Sequence, residues 1–127
     1  MVTRNWECHI AIVDDDAGFR RALGRLIRAA GFEADAYASG AEFLKGAREH
    51  PPACVVLDLQ MPGLDGFDVQ ARMARDRIRI PVIVVTGNDS PESESMALER
   101  GATAYLRKPV DEKEVLDAIR GAVGATD

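Results

Sequence analysis

Short apolar runs alternate along the chain with longer segments in which apolar residues recur every three or four positions. Runs such as Val55-Val56-Leu57 are typical of strands buried on both faces of a parallel sheet. The periodic segments are typical of amphipathic helices. Five strands are predicted, at about residues 7–14, 32–37, 53–58, 81–86 and 103–106. Five helices are predicted, at about residues 17–30, from 39 to the prolines at 51 and 52, from 65 to about 74, at 90–100 and at 111–123.

Three of these helices begin with clear start signals. Ser39 and Glu42 form a capping-box pattern, and Asp111 with Glu114 has the same spacing. The segment Ser90-Pro91-Glu92 combines a cap residue, a proline at the first helical position and an acid in the first turn. The strict alternation of strands and helices predicts an α/β fold, (βα)5, with a doubly wound five-stranded parallel sheet and helices on both faces.

Composition and charge narrow the class of protein. The 127 residues fit one domain, residues 1–127 with a core of about 7–123, and 46% of them are hydrophobic. A net charge of −5 argues against direct binding of nucleic acid or of an anionic membrane by this domain. No apolar run approaches the roughly 20 residues of a membrane helix, and residues 1–9 lack the apolar centre of a signal peptide. A cytoplasmic location is therefore expected.

The cysteines and histidines do not form a metal-binding pattern. Cys8 and Cys54 lie in apolar strand-like segments, which predicts small core residues that stay reduced. His9 and His50 are distant in sequence and are interpreted as structural or surface residues.

Polar residues stand at the carboxyl ends of four predicted strands. Asp14 and Asp15 follow the first strand, Asp58 ends the third, Thr86 ends the fourth and Lys108 follows the fifth. Ligands of open parallel sheets bind at this edge, so these side chains are expected to meet there. The neighbouring Asp16 is interpreted instead as the cap of the first helix.

Three clustered carboxylates predict a bound divalent cation. At about 5 Å and an effective dielectric constant of about 20, each pair of carboxylates repels by about 3 kcal/mol. Mg²⁺ removes this repulsion and prefers oxygen ligands, among which the backbone carbonyl of Gln60 is a further candidate. With the positive charge of Lys108 and the hydroxyl of Thr86, the group resembles a clamp for a phosphoryl group in transfer. Asp58, at the centre, is the best candidate nucleophile and would form an aspartyl-phosphate.

These residues carry a resemblance to the receiver domain of bacterial two-component response regulators. The resemblance extends over about residues 8–123 and implies a flavodoxin-like strand order 2-1-3-4-5. The Thr86-Gly87 pair and the sequence around Ser39 resemble the FixJ-type subgroup. The matching segments are Ile12-Val13-Asp14-Asp15-Asp16, Leu57-Asp58-Leu59-Gln60-Met61-Pro62-Gly63 with Gly66, Val85-Thr86-Gly87 and Tyr105-Leu106-Arg107-Lys108-Pro109.

The resemblance implies a role for each residue of the acidic group. Asp58 would accept a phosphoryl group from the phosphohistidine of a sensor histidine kinase or of a histidine phosphotransfer protein. Asp15 would bind Mg²⁺ directly, Asp14 directly or through water, and Gln60 through its backbone carbonyl. Lys108 would hold the phosphoryl oxygens and would precede a cis peptide bond at the following proline.

The resemblance also implies a conformational switch rather than a turnover enzyme. Thr86 would swing toward the phosphoryl group and Tyr105 would turn inward behind it. The helix after Ser90 has few large apolar residues, so it is expected to be weakly anchored and to move. The fourth helix, fifth strand and fifth helix would form the output surface and possible homodimer interface, which would regulate transcription if an output domain is attached. Gln60 and Asn88 match variable positions that tune dephosphorylation; the alternative interpretation of both is that they are simply exposed residues.

Two other functions fit parts of the pattern. A Mg²⁺-dependent phosphohydrolase would also use Asp58 as nucleophile, but such enzymes commonly carry a second acid two residues later, where this chain has Gln60. A flavin-binding module would share the sheet topology, but it requires a phosphate-binding Ser/Thr/Gly loop after the first strand. This chain has Asp14-Asp15-Asp16 at that point, which would repel a phosphate in the absence of a metal.

Overall fold

The computed structural model describes residues 8–124 and contains a five-stranded parallel sheet with helices on both faces. The strand order, β2-β1-β3-β4-β5, confirms the predicted topology. The strands are β1 His9–Val13, β2 Glu33–Tyr37, β3 Cys54–Asp58, β4 Val82–Thr86 and β5 Ala104–Arg107. The helices are α1 Ala17–Ala29, α2 Gly40–Glu49, α3 Gly66–Arg75, α4 Pro91–Glu99 and α5 Glu112–Gly124.

Two apolar layers cover the sheet because successive side chains of a strand point to opposite faces. On β3, Val55 and Leu57 join the cluster under α2, α3 and α4, whereas Cys54 and Val56 join the cluster under α1 and α5. Every residue of β3 and β4 is buried. These two adjacent interior strands are therefore packed on both faces and support the residues at their carboxyl ends.

The predicted boundaries differ from the observed ones by one or two residues. The first strand begins at His9 and ends at Val13, and Glu7 lies outside the described residues. The fifth strand lies one position later than predicted because its pairing with β4 continues to the Thr86–Arg107 pair. Strand and helix ends fray, so differences of this size leave the topology unchanged.

Side-chain caps fix where the helices begin. Asp16 accepts hydrogen bonds from the backbone N–H groups of Gly18 (2.9 Å) and Phe19 (3.2 Å), which confirms its interpretation as a cap. Ser39 accepts from the N–H of Glu42, but the Glu42 carboxylate accepts from Ala38 rather than from the cap itself. The corresponding caps of the later helices are Ser90 and Asp111. Asp65 and Asp68 form a reciprocal capping box on α3 that sequence analysis did not predict.

The helix α4 is the least embedded of the five. Ala97 is its single buried residue, while Met96 and Leu98 are 39% and 47% exposed. The helix ends in a left-handed Gly101, with Ala102 N–H donating to the Ala97 carbonyl at 3.0 Å. These features agree with the expectation of weak anchoring.

A buried glutamine contacts this end of α4. The Gln70 Nε2 atom donates to the Ala97 carbonyl at 3.1 Å, and Gln70 is 3% exposed. Within residues 8–124, no donor lies within hydrogen-bond distance of the Gln70 Oε1 atom. The amide group of Gln70 therefore links α3 to the C-terminal end of α4 through its nitrogen, while its oxygen has no hydrogen-bond donor among the described residues.

The cysteines and histidines take the places of ordinary structural residues. Cys8 and Cys54 are buried, and no disulfide joins them in the described part of the chain. Burial, and after it the neighbouring Cys8 thiol, raises the pKa of Cys54 to about 12, so its thiol stays protonated. His9 and His50 are distant in sequence but their rings pack edge to face at 5.4 Å, and His9 Nδ1 lies 3.3 Å from Asp35 Oδ2.

Across residues 8–124, no helix combines the length and apolarity that crossing a membrane requires.

Candidate functional site

Three carboxylates meet at the carboxyl edge of the sheet. Asp14 follows β1 directly, and Asp58 is the last residue of the adjacent β3. Asp14, Asp15 and Asp58 each offer one oxygen atom, and these atoms lie within 4.8 Å of one another. Asp14 and Asp58 are buried, at 0% and 3% exposure, while Asp15 is exposed. The juxtaposition predicted from the strand ends is therefore observed.

Lys108 brings a positive charge to the same place from the far end of the chain. Its Nζ atom donates to Asp14 Oδ2 at 2.7 Å and lies 3.8 Å from Asp58 Oδ1. Its backbone N–H donates to the Thr86 carbonyl at 2.8 Å, which fixes the start of its side chain beside β4. The peptide bond between Lys108 and Pro109 is cis, as the resemblance implied.

The environment of Asp58 makes its ionised form unfavourable. Burial, and after it repulsion from Asp14, raises the pKa of Asp58 to about 6, against the attraction of Lys108. The backbone N–H of Gln60 donates to Asp58 Oδ1 at 3.3 Å, which favours the ionised form only weakly. A cation bound beside Asp58 would reverse this balance, because opposite charge lowers the pKa of a carboxyl group.

A glycine lets the chain turn tightly behind Asp58. Gly66 N–H donates to the Leu59 carbonyl at 3.0 Å, and α3 begins against the end of β3. A Cβ atom at Gly66 would lie 2.6 Å from the Asp58 carbonyl oxygen and 2.8 Å from Leu59 Cα. Any side chain at this position would push the backbone that holds Asp58.

Thr86 lies at the end of β4, next to Asp58 in the sheet. Its side chain is buried, and its Oγ1 atom accepts a hydrogen bond from the backbone N–H of Asn88 at 3.1 Å. Gln60 and Asn88 are both exposed and line a polar cleft of about 210 Å³ together with Thr86. This cleft lies beside the ends of β3 and β4, and the roles of Thr86, Gln60 and Asn88 stay predictions.

Tyr105 is buried under α4 and is tied to the loop that precedes this helix. Its ring is 9% exposed and belongs to the cluster under α2, α3 and α4. Its hydroxyl donates to Asp89 Oδ1 at 2.8 Å, and the guanidinium of Arg107 donates to the other oxygen of Asp89. Burial, and after it the Asp89 carboxylate, raises the pKa of Tyr105 to about 12. Arg107 also lies 3.5 Å from Glu94 of α4, so one network joins β5, α4 and their connecting loop.

Sequence reasoning missed two charged residues at the site. Arg20 of α1, which was not singled out, donates from Nη1 to the Asp14 carbonyl at 2.7 Å. Asp89 was not singled out, although hydrogen bonds from Arg107 and then Tyr105 lower its pKa. No sequence signal marks the second, because the Thr86–Arg107 pairing that brings the loop after β4 beside β5 is seen only in the structure. No local pattern marks the first, since its position depends on how α1 begins.

The donor set fits a hard divalent cation. Three carboxylate oxygens within 4.8 Å suit Mg²⁺, which binds oxygen ligands and neutralises clustered acids. Asp14, Asp15 and Asp58 would hold the ion, and the backbone carbonyl of Gln60 stays a predicted further ligand. An open, partly exposed side at Asp15 leaves room for waters or phosphoryl oxygens.

Residues 10–120 match the family model of the response regulator receiver domain. The chain belongs to this family. The receiver is 38% identical over 113 residues to nodulation protein W of Bradyrhizobium diazoefficiens, covering 89% of this chain and 50% of that protein. It is 33% identical over 118 residues to the DNA-binding response regulator MtrA of Mycobacterium leprae, covering 93% of this chain and 52% of that protein.

Among solved structures, the receiver resembles a response regulator receiver protein from Burkholderia phymatum. The TM-score is 0.80 at 42% identity, and the match covers 92% of this chain and 95% of the other. The receiver spans about half the length of the curated relatives it matches. Membership of the family is thus established, while the FixJ-type subgroup stays a prediction.

Proposed function

We propose that this receiver is the phosphoacceptor switch of a two-component phosphorelay, with Asp58 as the phosphorylated residue. The observation that carries this proposal is the convergence of three carboxylates within 4.8 Å and a lysine ammonium 2.7 Å from one of them. Asp58 is the acid that combines burial, contact with Lys108 and a central position between β1 and β4. The donor would be the phosphohistidine of a sensor histidine kinase or of a histidine phosphotransfer protein.

The transfer requires one bond to form as another breaks. A carboxylate oxygen of Asp58 would attack phosphorus, and the P–N bond to the donor imidazole would break with its electron pair leaving on nitrogen. Mg²⁺, when bound, supplies positive charge that neutralises the carboxylates and the phosphoryl oxygens. Lys108 would move from Asp14 to a phosphoryl oxygen, since its ammonium already lies 3.8 Å from Asp58. The product is a signalling state rather than a released compound, so a single phosphorylation per chain is expected.

The phosphoryl group on Asp58 would attract the hydroxyl group of Thr86. The Thr86 hydroxyl now accepts a bond from Asn88 N–H, and turning toward the phosphoryl group would break that bond. The loop that begins at Asn88 also contains Asp89, which accepts from Tyr105 and Arg107. Movement of this loop would therefore change how α4 and β5 meet. Phosphorylation would shift an existing equilibrium between two arrangements of this surface.

The surface formed by α4, β5 and α5 is the proposed output face and a candidate homodimer interface. It includes Met96 and Leu98, which are exposed and apolar. The mycobacterial relative is described as a DNA-binding response regulator. We infer that this receiver regulates transcription when joined to an output domain, without contacting nucleic acid itself, in keeping with its net charge of −5.

The decisive experiment measures the intact mass of the protein after incubation with acetyl phosphate and Mg²⁺. Wild type is expected to gain the mass of one phosphoryl group, and Asp58→Asn is expected to gain none. Asp117→Asn, which removes an exposed carboxylate on α5, is the matched control and should react like wild type. Phosphorylation of the Asp58→Asn variant to the wild-type extent would contradict the assignment, as would steady turnover of small phosphate esters.

A second experiment tests the switch. Beryllium fluoride with Mg²⁺ mimics the phosphorylated carboxylate, and amide hydrogen exchange then reports which segments change. Exchange is expected to change within residues 86–108, which contain Thr86, α4 and Tyr105. Unchanged exchange throughout this segment, with the analogue bound, would refute the proposed output surface.

A further inference from the structure

The ammonium group of Lys108 is in contact with an aromatic ring as well as with the carboxylates. Its Nζ atom lies 4.5 Å from the centroid of the Phe19 ring. The same atom donates to Asp14 at 2.7 Å and lies 3.8 Å from Asp58. A cation at this distance from a ring face is attracted by the ring quadrupole.

The position of the Phe19 ring is set independently of the lysine. Phe19 lies in the first turn of α1, and its backbone N–H is held by the Asp16 cap at 3.2 Å. Its side chain is half-buried and packs against the apolar layer under α1 and α5. The ring therefore offers a fixed face, whereas a lysine side chain has four rotatable bonds and many conformations in water.

An apolar groove lined by both the ring and Lys108 leaves room for the lysine side chain to move away from the acids. This groove has a volume of about 490 Å³, and its walls include Phe19, Leu26, Lys108 and Val110. The lysine side chain itself is 23% exposed. Without the attraction of the ring, the ammonium could extend over the groove toward solvent, where it would no longer face the acidic cluster.

We propose that Phe19 is a positioning residue, whose aromatic face holds the ammonium of Lys108 toward the phosphoryl group that Asp58 accepts. This inference rests on the proposed function, because it concerns the rate of that reaction. Phe19 does not touch the reacting atoms; it limits where Lys108 can lie when the donor arrives. The expected effect of losing the ring is a threefold to tenfold slower phosphorylation, as expected from the strength of a partly desolvated cation–π contact.

The test measures the rate of phosphorylation of Asp58 by acetyl phosphate with Mg²⁺. A small phosphoryl donor is used because a change in the groove could also alter the binding of a protein donor. Phe19→Leu and Phe19→Met keep an apolar side chain without the ring, and Phe19→Tyr keeps the ring. Both ring-free variants are expected to react threefold to tenfold more slowly, and Phe19→Tyr within twofold of wild type. Leu26→Ala, a change in the same groove and helix, is the matched control and should leave the rate unchanged.

Two further measurements separate positioning from a general structural effect. In a Lys108→Ala background, Phe19→Leu should slow the residual reaction by less than twofold, since no ammonium remains to be positioned. In the NMR spectrum of wild type, the ring current should shift the ε-methylene protons of Lys108 upfield, and this shift should disappear in Phe19→Leu. Equal slowing in both backgrounds, or a wild-type rate for both ring-free variants, would overturn the inference. Failure of wild type itself to accept a phosphoryl group would instead overturn the proposed function.

Discussion

Replacing Asp58 with asparagine should stabilise the folded protein at neutral pH. Burial and the nearby Asp14 raise the pKa of Asp58 to about 6, above its usual 3.8. The ionised carboxylate is thus less stable in the folded than in the unfolded chain. The two values differ by about two, and each pKa unit corresponds to about 1.4 kcal/mol, so the ionised acid lowers the free energy of unfolding by about 3 kcal/mol at pH 7.5.

The pH dependence follows from the same values. Between pH 4 and pH 6 the folded state binds more protons at Asp58 than the unfolded state, so lowering the pH stabilises wild type relative to the variant. The advantage of Asp58→Asn should therefore fall from about 3 kcal/mol at pH 7.5 to about 1 kcal/mol at pH 4.5. Lys108 keeps its contact with Asp14 in the variant, so no buried charge is left alone.

Urea unfolding followed by circular dichroism, in buffer with a chelator, measures this difference. Asp117→Asn changes the net charge by the same amount at an exposed position and serves as the control. It should show no such advantage at either pH. A variant at position 58 that is no more stable than wild type at pH 7.5, or whose advantage persists undiminished at pH 4.5, would refute the reasoning.

Three further predictions concern packing and metal binding. Gly66→Ala should lower the free energy of unfolding by about 1–3 kcal/mol, because its Cβ would lie 2.6 Å from the Asp58 carbonyl oxygen. The control Gly121→Ala has open space around it and should leave the free energy of unfolding unchanged, so equal unfolding midpoints of the two variants in urea would contradict the prediction. Gln70→Met should be at least as stable as wild type, because it removes a buried oxygen that has no hydrogen-bond donor, while the Ala97 carbonyl still accepts from the Ala102 N–H. A free energy of unfolding more than about 1 kcal/mol below that of wild type, measured in urea, would count against this prediction. Mg²⁺ at a hundred times its dissociation constant should raise the free energy of unfolding of wild type by about 2.7 kcal/mol, and clearly less for Asp58→Asn; an equal gain would argue against metal binding at this carboxylate.

The apolar pattern predicted five parallel strands and the polar residues at their carboxyl ends, and the family resemblance supplied the strand order. The buried runs at β3 and β4 identified the central strands, and each ended in a polar residue of the cluster. Because the carboxyl ends of parallel strands share one edge, the meeting of Asp14, Asp58 and Lys108 followed once that strand order was adopted. No distances were needed to predict which residues would be neighbours.

Contacts that depend on side-chain direction could not be predicted in this way. Asp89 lies in a loop, and only the observed register of β4 and β5 brings it within 2.8 Å of the Tyr105 hydroxyl. The contact of Phe19 with Lys108 depends on where the first turn of α1 lies relative to the residue after β5, which no pattern in the sequence indicates. The apolar periodicity of α1 agrees with the packing of Phe19 against the layer under α1 and α5, but it does not indicate a charged neighbour.

The single buried side chain of α4, Ala97, has a consequence for which substitutions this helix can accept. A methyl group is nearly all that the hydrophobic interior requires from that helix, so most of its other residues can be substituted with little effect on folding. Substitutions in α4 can therefore change the charge and shape of its outer surface, while the acidic cluster at the strand ends stays intact.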